Sequence, residues 1–479
     1  MSFKIRLFLI TGTFFLTTSA IRAQVNYIPL EMNTDYHLLG VLEPKTVHEI
    51  KADNLTVGCE VLDRDYTNYD EYKSYLPALG MKKIRLQGGW AKTEKVKGVY
   101  DFTWLDHIID DATARGMKVW LQTSYGNPIY KGGGTTNLGG GMPTSVEAKE
   151  AWNRWVEAMA TRYLGKVHEW EIWNEPDLSE SIPAEDIVDM NIRTAEIIKK
   201  VDPEAKISGF AFCTLNGKLL EECLTLVQKA GKLDLFHWIS YHGYEYRPEN
   251  SYKAVMNFRR IIDKYSKDIK LRQGENGAPS KGHMGGALDK YDWTELSQAK
   301  WDLRRLVGDH GHDVESSVFS IIDMAYPPGE NKYVPKLNVK GLIESNSEKN
   351  VLRTKLAYRA VQHYATLFDN LNTRIKEYTF NAKDGNNFAN FLYKNDKGLY
   401  SFLIWNQVEA PLNENKIQQI DFTLSGCSFT NPVWIDLLTG CIFEIPESLF
   451  IHKGNTYTFK NVPVYDSPVI ITDKSILTK

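Results

Sequence analysis

Two glutamates offer the chemistry from which this sequence can be interpreted. Glu175 lies in EIWNEPD (171–177) and Glu275 in LRQGENG (271–277), and each belongs to a run typical of a buried strand and its end. A protonated carboxyl group can donate a proton to a leaving oxygen, and an ionised carboxylate can attack as a nucleophile or activate water. Two such groups facing one another from separate strand ends are what cleavage of a glycosidic bond requires.

The elements that would position these groups begin near residue 55. Short β-branched or aromatic runs alternate there with helix-period segments, which indicates repeated βα units and a parallel sheet. Strands are predicted at 55–62, 82–89, 117–124, 167–174, 206–212, 235–242, 269–276 and 316–323. Eight units predict a (β/α)₈ barrel, whose active site forms at the carboxyl ends of its strands. Glu175 and Glu275 should therefore meet at one mouth, with Pro176 ending the fourth strand because it has no N–H to donate.

The pattern changes near residue 373 to short alternating strands with turns, which predicts an antiparallel β-sandwich. The predicted fold class is thus α/β, a (β/α)₈ barrel followed by a sandwich. The predicted divisions are a signal peptide (1–23), an N-terminal segment that can add a strand to the sandwich (24–54), the barrel (55–372) and the sandwich (373–479).

The first residues predict export. Lys4 and Arg6 precede an apolar run and then small residues up to Ala23, which is typical of a cleavable secretory signal too short to span a bilayer. With no membrane span in the remainder and no cysteine to take a lipid, the mature protein is expected to be secreted or periplasmic. Cys213 with Cys223, or Cys427 with Cys441, could form disulfides, and buried thiols are the alternative.

Composition and missing motifs argue against several classes of protein function. A net charge of −3 over 479 residues gives no sign of a nucleic-acid partner, and 12 Trp with 25 Tyr suit a carbohydrate partner as well as a large core. HEWEI at 168–172 lacks the second histidine of a zinc protease, and HGHD at 310–313 fits a helix end better than a metal site. We expect no metal and no cofactor. Oligomeric state is left open.

WNEPD resembles the acid/base motif of the clan A glycoside hydrolases, which are retaining (β/α)₈ enzymes. Within that clan the chain is most similar to family 39, the β-xylosidases and α-L-iduronidases, in which a β-sandwich follows the barrel. The resemblance implies that Glu175 is the acid/base and Glu275 the nucleophile. It implies supporting roles for four further residues: Asn174 on the sugar 2-hydroxyl, Arg85 beside the nucleophile, and His242 and Tyr244 in SYHGY. Where the family tends to have a histidine, this chain has Gln87.

Other residues just beyond strand ends either shape a sugar subsite or pack the loops. These are Trp90, Tyr125, Asn127 and Tyr326, and the same alternatives apply to Glu60 and Asp63 on the first strand. The glycine-rich GNPIYKGGGTTNLGGG (126–141) lacks the ending of a phosphate loop and is interpreted as a loop over the barrel mouth.

These patterns predict a retaining glycosidase, β-xylosidase-like or a related exo-glycosidase, acting on plant-type oligo- or polysaccharides. Its carboxyl groups should lie about 5 to 5.5 Å apart. The pKa of Glu175 should be raised by Trp170 or Trp173 and by the charge of Glu275, while Arg85 keeps Glu275 ionised. A non-catalytic carbohydrate-binding protein on a decayed barrel and an inverting glycosidase are the alternatives.

Overall fold

The computed structural model describes residues 35–178, 182–327, 337–383, 385 and 387–477. The predicted signal peptide, residues 1–23, lies outside these ranges. Within them, no helix combines the length and apolar character needed to cross a membrane.

A closed parallel barrel forms the first domain, as predicted. Strands are numbered from β1 (His37–Val41), which lies outside the barrel. The barrel strands are β2 (Leu55–Gly58), β3 (Lys83–Gln87), β4 (Lys118–Thr123), β5 (Glu169–Ile172), β6 (Lys206–Phe212), β7 (Trp238–Tyr241), β8 (Lys270–Asn276) and β9 (Glu315–Val318). They pair in chain order, and β9 closes the ring on β2 with Ser316 opposite Leu55. Each of the eight predicted strands is present, most of them trimmed at their ends.

Helices cover the outside of the barrel, so its strands are buried on both faces. The helices are α1 (Tyr69–Tyr72), α2 (Leu76–Leu79), α3 (Trp90–Thr93), α4 (Thr103–Ala114), α5 (Val146–Arg162), α6 (Ala184–Val201), α7 (Gly217–Lys229), α8 (Tyr252–Tyr265), α9 (Glu295–Gly311) and α10 (Leu356–Phe368). Short 3₁₀ helices span Leu62–Arg64, Lys73–Tyr75, Pro176–Leu178, Leu233–Leu235, Pro248–Ser251, Glu447–Leu449 and Lys474–Leu477. Helix α4 buries Leu105, Ile108, Ile109 and Ala112 along one face.

Two antiparallel sheets form the second domain and confirm the predicted fold class. Hairpins β10 (Met324–Ala325) with β11 (Leu337–Asn338), and β12 (Ile343–Ser345) with β13 (Val351–Thr354), precede it. Its strands are β14 (Thr373–Ile375), β15 (Thr379–Ala382), β16 (Phe388–Lys394), β17 (Tyr400–Asn406), β18 (Gln418–Ser425), β19 (Pro432–Asp436), β20 (Cys441–Glu444), β21 (Phe450–Lys453), β22 (Thr456–Val464) and β23 (Val469–Asp473).

The sheets have the orders β1-β20-β19-β23-β17-β16-β14 and β15-β18-β22-β21. Phe402 of the first and Phe422 of the second place their rings 5.7 Å apart, so the sheets face one another across an aromatic core. Strand β1 pairs with β20, which ties the start of the described chain to this domain.

Aromatic and histidine side chains join the barrel to the sandwich. At the end of α9, His310 packs against Phe368 and, from the sandwich, against Tyr393 at 4.6 Å between ring centres. His312 stacks on Tyr252 of the barrel at 3.9 Å. The HGHD segment therefore belongs to the domain interface. All five cysteines are thiols in the structure, and neither candidate disulfide forms.

Candidate active site

A left-handed turn carries Glu175 out of the barrel sheet. Strand β5 ends at Ile172, and Trp173 and Glu175 then take φ angles of 60° and 49°, in a region unusual for residues that carry a Cβ. Their amides still pair with the neighbouring strands, Trp173 N with Thr123 O at 3.0 Å and Glu175 N with Ala211 O at 2.9 Å. The prediction that Pro176 ends the strand was wrong: the turn ends it earlier, and Pro176 opens a 3₁₀ helix.

The two predicted catalytic carboxylates meet at the barrel mouth. Glu175 follows β5 and Glu275 is the penultimate residue of β8, so both stand at carboxyl ends of strands. One carboxylate oxygen of Glu175 and one of Glu275 lie within 4.8 Å of each other. This is near the spacing of about 5 to 5.5 Å found in retaining enzymes and shorter than the 6.5 to 9.5 Å of inverting ones. Direct attack on the sugar fits this geometry, whereas an interposed water does not.

Glu275 is held by two donors, both among the predicted site residues. The phenol of Tyr244 donates to its Oε1 at 3.0 Å, and Nη1 of Arg85 approaches its Oε2 at 3.3 Å. Both oxygens of Glu275 thus have partners that fix its orientation.

Arg85 is the centre of a buried polar network. Its side chain is fully buried on β3 and donates to Glu171 Oε2 at 2.7 Å, Glu60 Oε1 at 2.9 Å and Asn174 Oδ1 at 3.0 Å. A buried guanidinium requires such partners because desolvation of an unpaired charge costs several kcal/mol. The network fixes Asn174 beside Glu175, in the position from which an amide could reach a sugar hydroxyl.

Glu171 in this network was missed by the sequence reasoning. It is fully buried and also accepts hydrogen bonds from Gln122 Nε2 at 2.7 Å and from the hydroxyl of Ser240. The available signal was its place on β5 within the same EIWNEPD motif, because a charged residue inside a barrel strand requires partners from neighbouring strands.

His242 contacts Glu175, the predicted acid/base. Its Nδ1 lies 2.7 Å from Glu175 Oε1 and 3.9 Å from Glu275 Oε2. Burial raises the pKa of Glu175, the negative charge of Glu275 raises it further, and the His242 contact opposes both. The predicted rise in the pKa of Glu175 is confirmed. Burial works against the imidazolium of His242, but the charges of Glu275 and Glu175 outweigh it and raise its pKa.

A narrow cavity of about 40 Å³ adjoins Glu275. Three of the predicted subsite residues line it, namely Tyr125, Asn174 and Tyr326, and so does Glu60. Burial raises the pKa of Glu60 to about 7, with Arg85 opposing this and the charge of Glu275 adding to it. Asp63, considered together with Glu60, pairs with Arg64 at 3.3 Å instead.

Sequence analysis did not predict the remaining residues that line the cavity, which are Val61, Arg64, Gln87, Leu138 and Phe319. Leu138 comes from the glycine-rich loop, which is built by close backbone approaches. A Cβ on Gly133 would lie 2.2 Å from Asn127 O, and one on Gly134 would lie 2.2 Å from Gly141 O. The glycines therefore permit a compact loop that carries Leu138 over the site.

Trp90 and Asn127 do not lie in the cavity, which corrects the prediction that they bind substrate. Trp90 is fully buried, stacks on Tyr130 at 5.5 Å and donates its Nε1 to Glu94. Asn127 is also fully buried and donates to the Glu94 carbonyl at 2.8 Å. Both follow strand ends, but their polar groups are used within the protein, so they support the loop after β4.

The donor set of Glu175, His242 and Glu275 also has a spacing that a divalent cation could accept, with one ligand atom from each within 4.8 Å. However, both oxygens of Glu275 already accept from Tyr244 and Arg85, and a guanidinium 3.3 Å away disfavours a cation there. The arrangement fits a proton-transferring carboxyl group facing an attacking carboxylate better than it fits a metal centre.

Sequence comparison finds relatives with a named activity. Residues 54–272 match the model of the glycosyl hydrolases family 39, a range that contains Glu175 and ends just before Glu275. A β-xylosidase from Geobacillus stearothermophilus is 24% identical over 130 residues, which is 25% of this chain and 26% of that protein. The chain therefore aligns with about a quarter of the length of this curated relative.

Solved structures share the fold over most of the chain. A family 39 glycoside hydrolase from the gut symbiont Bacteroides cellulosilyticus WH2 aligns with a TM-score of 0.60 and 16% identity, covering 87% of this chain and 80% of that one. A monomeric β-xylosidase from Caulobacter crescentus CB15 aligns with a TM-score of 0.58 and 15% identity. The alignment covers 91% of this chain and 98% of that one. The chain is therefore a relative of the glycosyl hydrolases of family 39, as the WNEPD motif predicted.

Proposed function

We propose that this protein is a retaining glycoside hydrolase that works by double displacement without a metal. The observation that carries the proposal is the separation of the Glu175 and Glu275 carboxylates, whose nearest ligand oxygens lie within 4.8 Å of one another at the barrel mouth.

In the first step Glu275 attacks the anomeric carbon while Glu175 gives its proton to the leaving oxygen. Burial and the charge of Glu275 raise the pKa of Glu175, which favours the protonated form of the acid, and Arg85 with Tyr244 orient Glu275. The contact between His242 and Glu175 Oε1 fixes the direction of the acid. These contacts hold both carboxylates in place for their roles.

In the second step Glu175, now ionised, removes a proton from water, and this water attacks the glycosyl ester on Glu275. The contact with His242 lowers the pKa of Glu175 and so favours its carboxylate form between the two steps. Asn174, held by Arg85, supplies an amide for the sugar 2-hydroxyl.

For the substrate we propose a β-xyloside or a related sugar of plant-type oligo- or polysaccharides. The named relatives include β-xylosidases, and the site presents tyrosine surfaces from Tyr125 and Tyr326 of the kind on which sugar rings pack. Turnover on a panel of aryl glycosides of xylose, galactose, arabinose, glucuronic acid and fucose would identify the sugar. Binding without turnover across the panel would favour the carbohydrate-binding alternative.

We also propose that the protein is exported, because Lys4, Arg6 and the apolar run up to Ala23 form a secretory signal pattern. Fractionation of expressing cells with N-terminal sequencing tests this. A mature chain beginning at Gln24 in the periplasm or medium is the expected result, and an intact Met1 in the cytoplasm would contradict it.

Substitution of the two glutamates tests the proposed mechanism. Glu275→Ala should abolish turnover because no group remains to form the covalent intermediate. Glu175→Ala should keep the first step on an aryl glycoside with a good leaving group, since that leaving group needs little protonation, and should then accumulate the intermediate.

Azide distinguishes the two roles, because it attacks without help from a base. It should restore turnover in Glu175→Ala and give a glycosyl azide of retained configuration. Rescue in Glu275→Ala with an inverted product, and none in Glu175→Ala, would reverse the assignment. If the wild-type enzyme releases sugar of inverted configuration, the retaining mechanism is wrong.

A further inference from the structure

A second and larger groove opens beside the catalytic cavity. Its volume is about 730 Å³, within the range of roughly 300 to 1,000 Å³ typical of ligand sites. Arg64 and Tyr326 line both spaces, so the groove is a continuation of the catalytic cavity.

The walls of the groove suit a sugar ring. Tyr66 and Tyr326 lie with ring centres 4.9 Å apart, and the Arg64 guanidinium stands 5.3 Å above Tyr66. His283 and Lys349 add groups that can hydrogen-bond to sugar hydroxyls. Aromatic surface with a few polar groups is the usual composition of a site that binds a partly apolar, hydroxyl-rich ligand.

The order of the barrel strands decides which part of a substrate the groove would hold. The groove is lined by residues that follow β8, β9 and β2, which are neighbouring strands, and Glu275 stands on β8 at this side of the barrel. Glu175 follows β5, across the barrel from β9. Because the acid must face the leaving group, the groove extends away from the leaving group, on the glycone side.

We propose that this groove binds a second sugar unit, attached to the non-reducing side of the sugar that reacts with Glu275. The inference rests on the proposed function and specifies its substrate class: glycosides whose glycone contains at least two sugar units are preferred over monosaccharide glycosides. Arg64 and Tyr326 lie at the junction, where they would contact both units.

The test compares 4-nitrophenyl β-xyloside with 4-nitrophenyl β-xylobioside, or the matching pair for whichever sugar the panel identifies. The disaccharide glycoside should have a kcat/KM about tenfold higher or more, and chromatography should show the intact disaccharide as the first sugar product. Stepwise release of single sugar units from the non-reducing end would overturn the inference.

Ser347→Trp places a large side chain in the groove from an exposed position, and Ser347→Ala is the matched control without added bulk. The tryptophan variant should lose about tenfold in kcat/KM on the disaccharide glycoside and stay within about twofold on the monosaccharide. Equal losses on both substrates would refute the groove as a subsite. A wild-type protein inactive on the entire panel would refute the proposed function itself, a result distinct from activity without disaccharide preference.

Discussion

Acid should loosen the contact between barrel and sandwich, because two histidines packed there resist protonation. Burial lowers the pKa of His310 to about 3 and that of His363 to about 4. His310 packs on Phe368 and Tyr393, and Nδ1 of His363 lies 3.0 Å from the Leu437 carbonyl of the sandwich. Protonation in the folded state would place an imidazolium among these groups.

The direction in which pH changes the free energy of unfolding follows from proton uptake. In the unfolded chain both histidines titrate near pH 6.5, so below that pH the unfolded state binds more protons and the free energy of unfolding decreases. The loss begins as the pH falls through about 6.5 and is complete once it passes the folded pKa values of about 4 and 3. At pH 5 each histidine should account for about 2 kcal/mol of lost stability.

The assay is urea unfolding followed by tryptophan fluorescence at pH 7.5 and pH 5, for the wild type and for His310→Gln with His363→Gln. The double variant should lose about 4 kcal/mol less than the wild type on acidification, although it is less stable at pH 7.5. His168→Gln, at an exposed position on the barrel, serves as the control and should follow the wild type. An unchanged pH dependence in the double variant would refute the reasoning.

Three substitutions at the site have separable expected outcomes. Tyr244→Phe removes a hydrogen bond to the Glu275 carboxylate, worth about 1.5 to 3 kcal/mol. The variant should lose at least tenfold in kcat while circular dichroism shows intact folding. An unchanged kcat would mean that Tyr244 has no part in the mechanism. His242→Asn removes a contact that lowers the pKa of Glu175, so the alkaline limb of the pH–rate profile should move to higher pH, and a downward shift would contradict the assignment. Leu138→Ala should widen the narrow cavity and lower KM about fivefold, roughly 1 kcal/mol, with kcat little changed, whereas a raised KM would mean that Leu138 packs on the sugar.

The sequence predicted those parts of the molecule that depend on local pattern. The barrel strands and the meeting of Glu175 and Glu275 at one mouth follow from the strand pattern and from the rule that parallel strands end at one face, whereas Arg85 and Tyr244 were implied by the family resemblance. The catalytic pair was accessible for the additional reason that WNEPD is a specific motif.

The errors arose where long-range packing decides the direction of a side chain. Trp90 follows a strand end, but Gly89 turns the chain at a φ of 61° and the indole enters the layer of helices. Arg64 reaches the cavity from the 3₁₀ helix Leu62–Arg64, and Leu138 reaches it from the glycine-rich loop. Residues 375–380 divide between β14 and β15, which belong to different sheets. Hydrophobic pattern alone does not reveal such a crossing.

The surroundings of Arg85 imply a trade between stability and reactivity. One guanidinium is shared by Glu60, Glu171 and Glu275, so a single positive charge is set against three carboxylates at the centre of the barrel. The raised pKa of Glu60, about 7, reflects its burial and its repulsion by Glu275. The fold thus keeps an electrostatically unfavourable cluster that a stability-driven sequence would neutralise, and selection for a reactive nucleophile would explain why it persists.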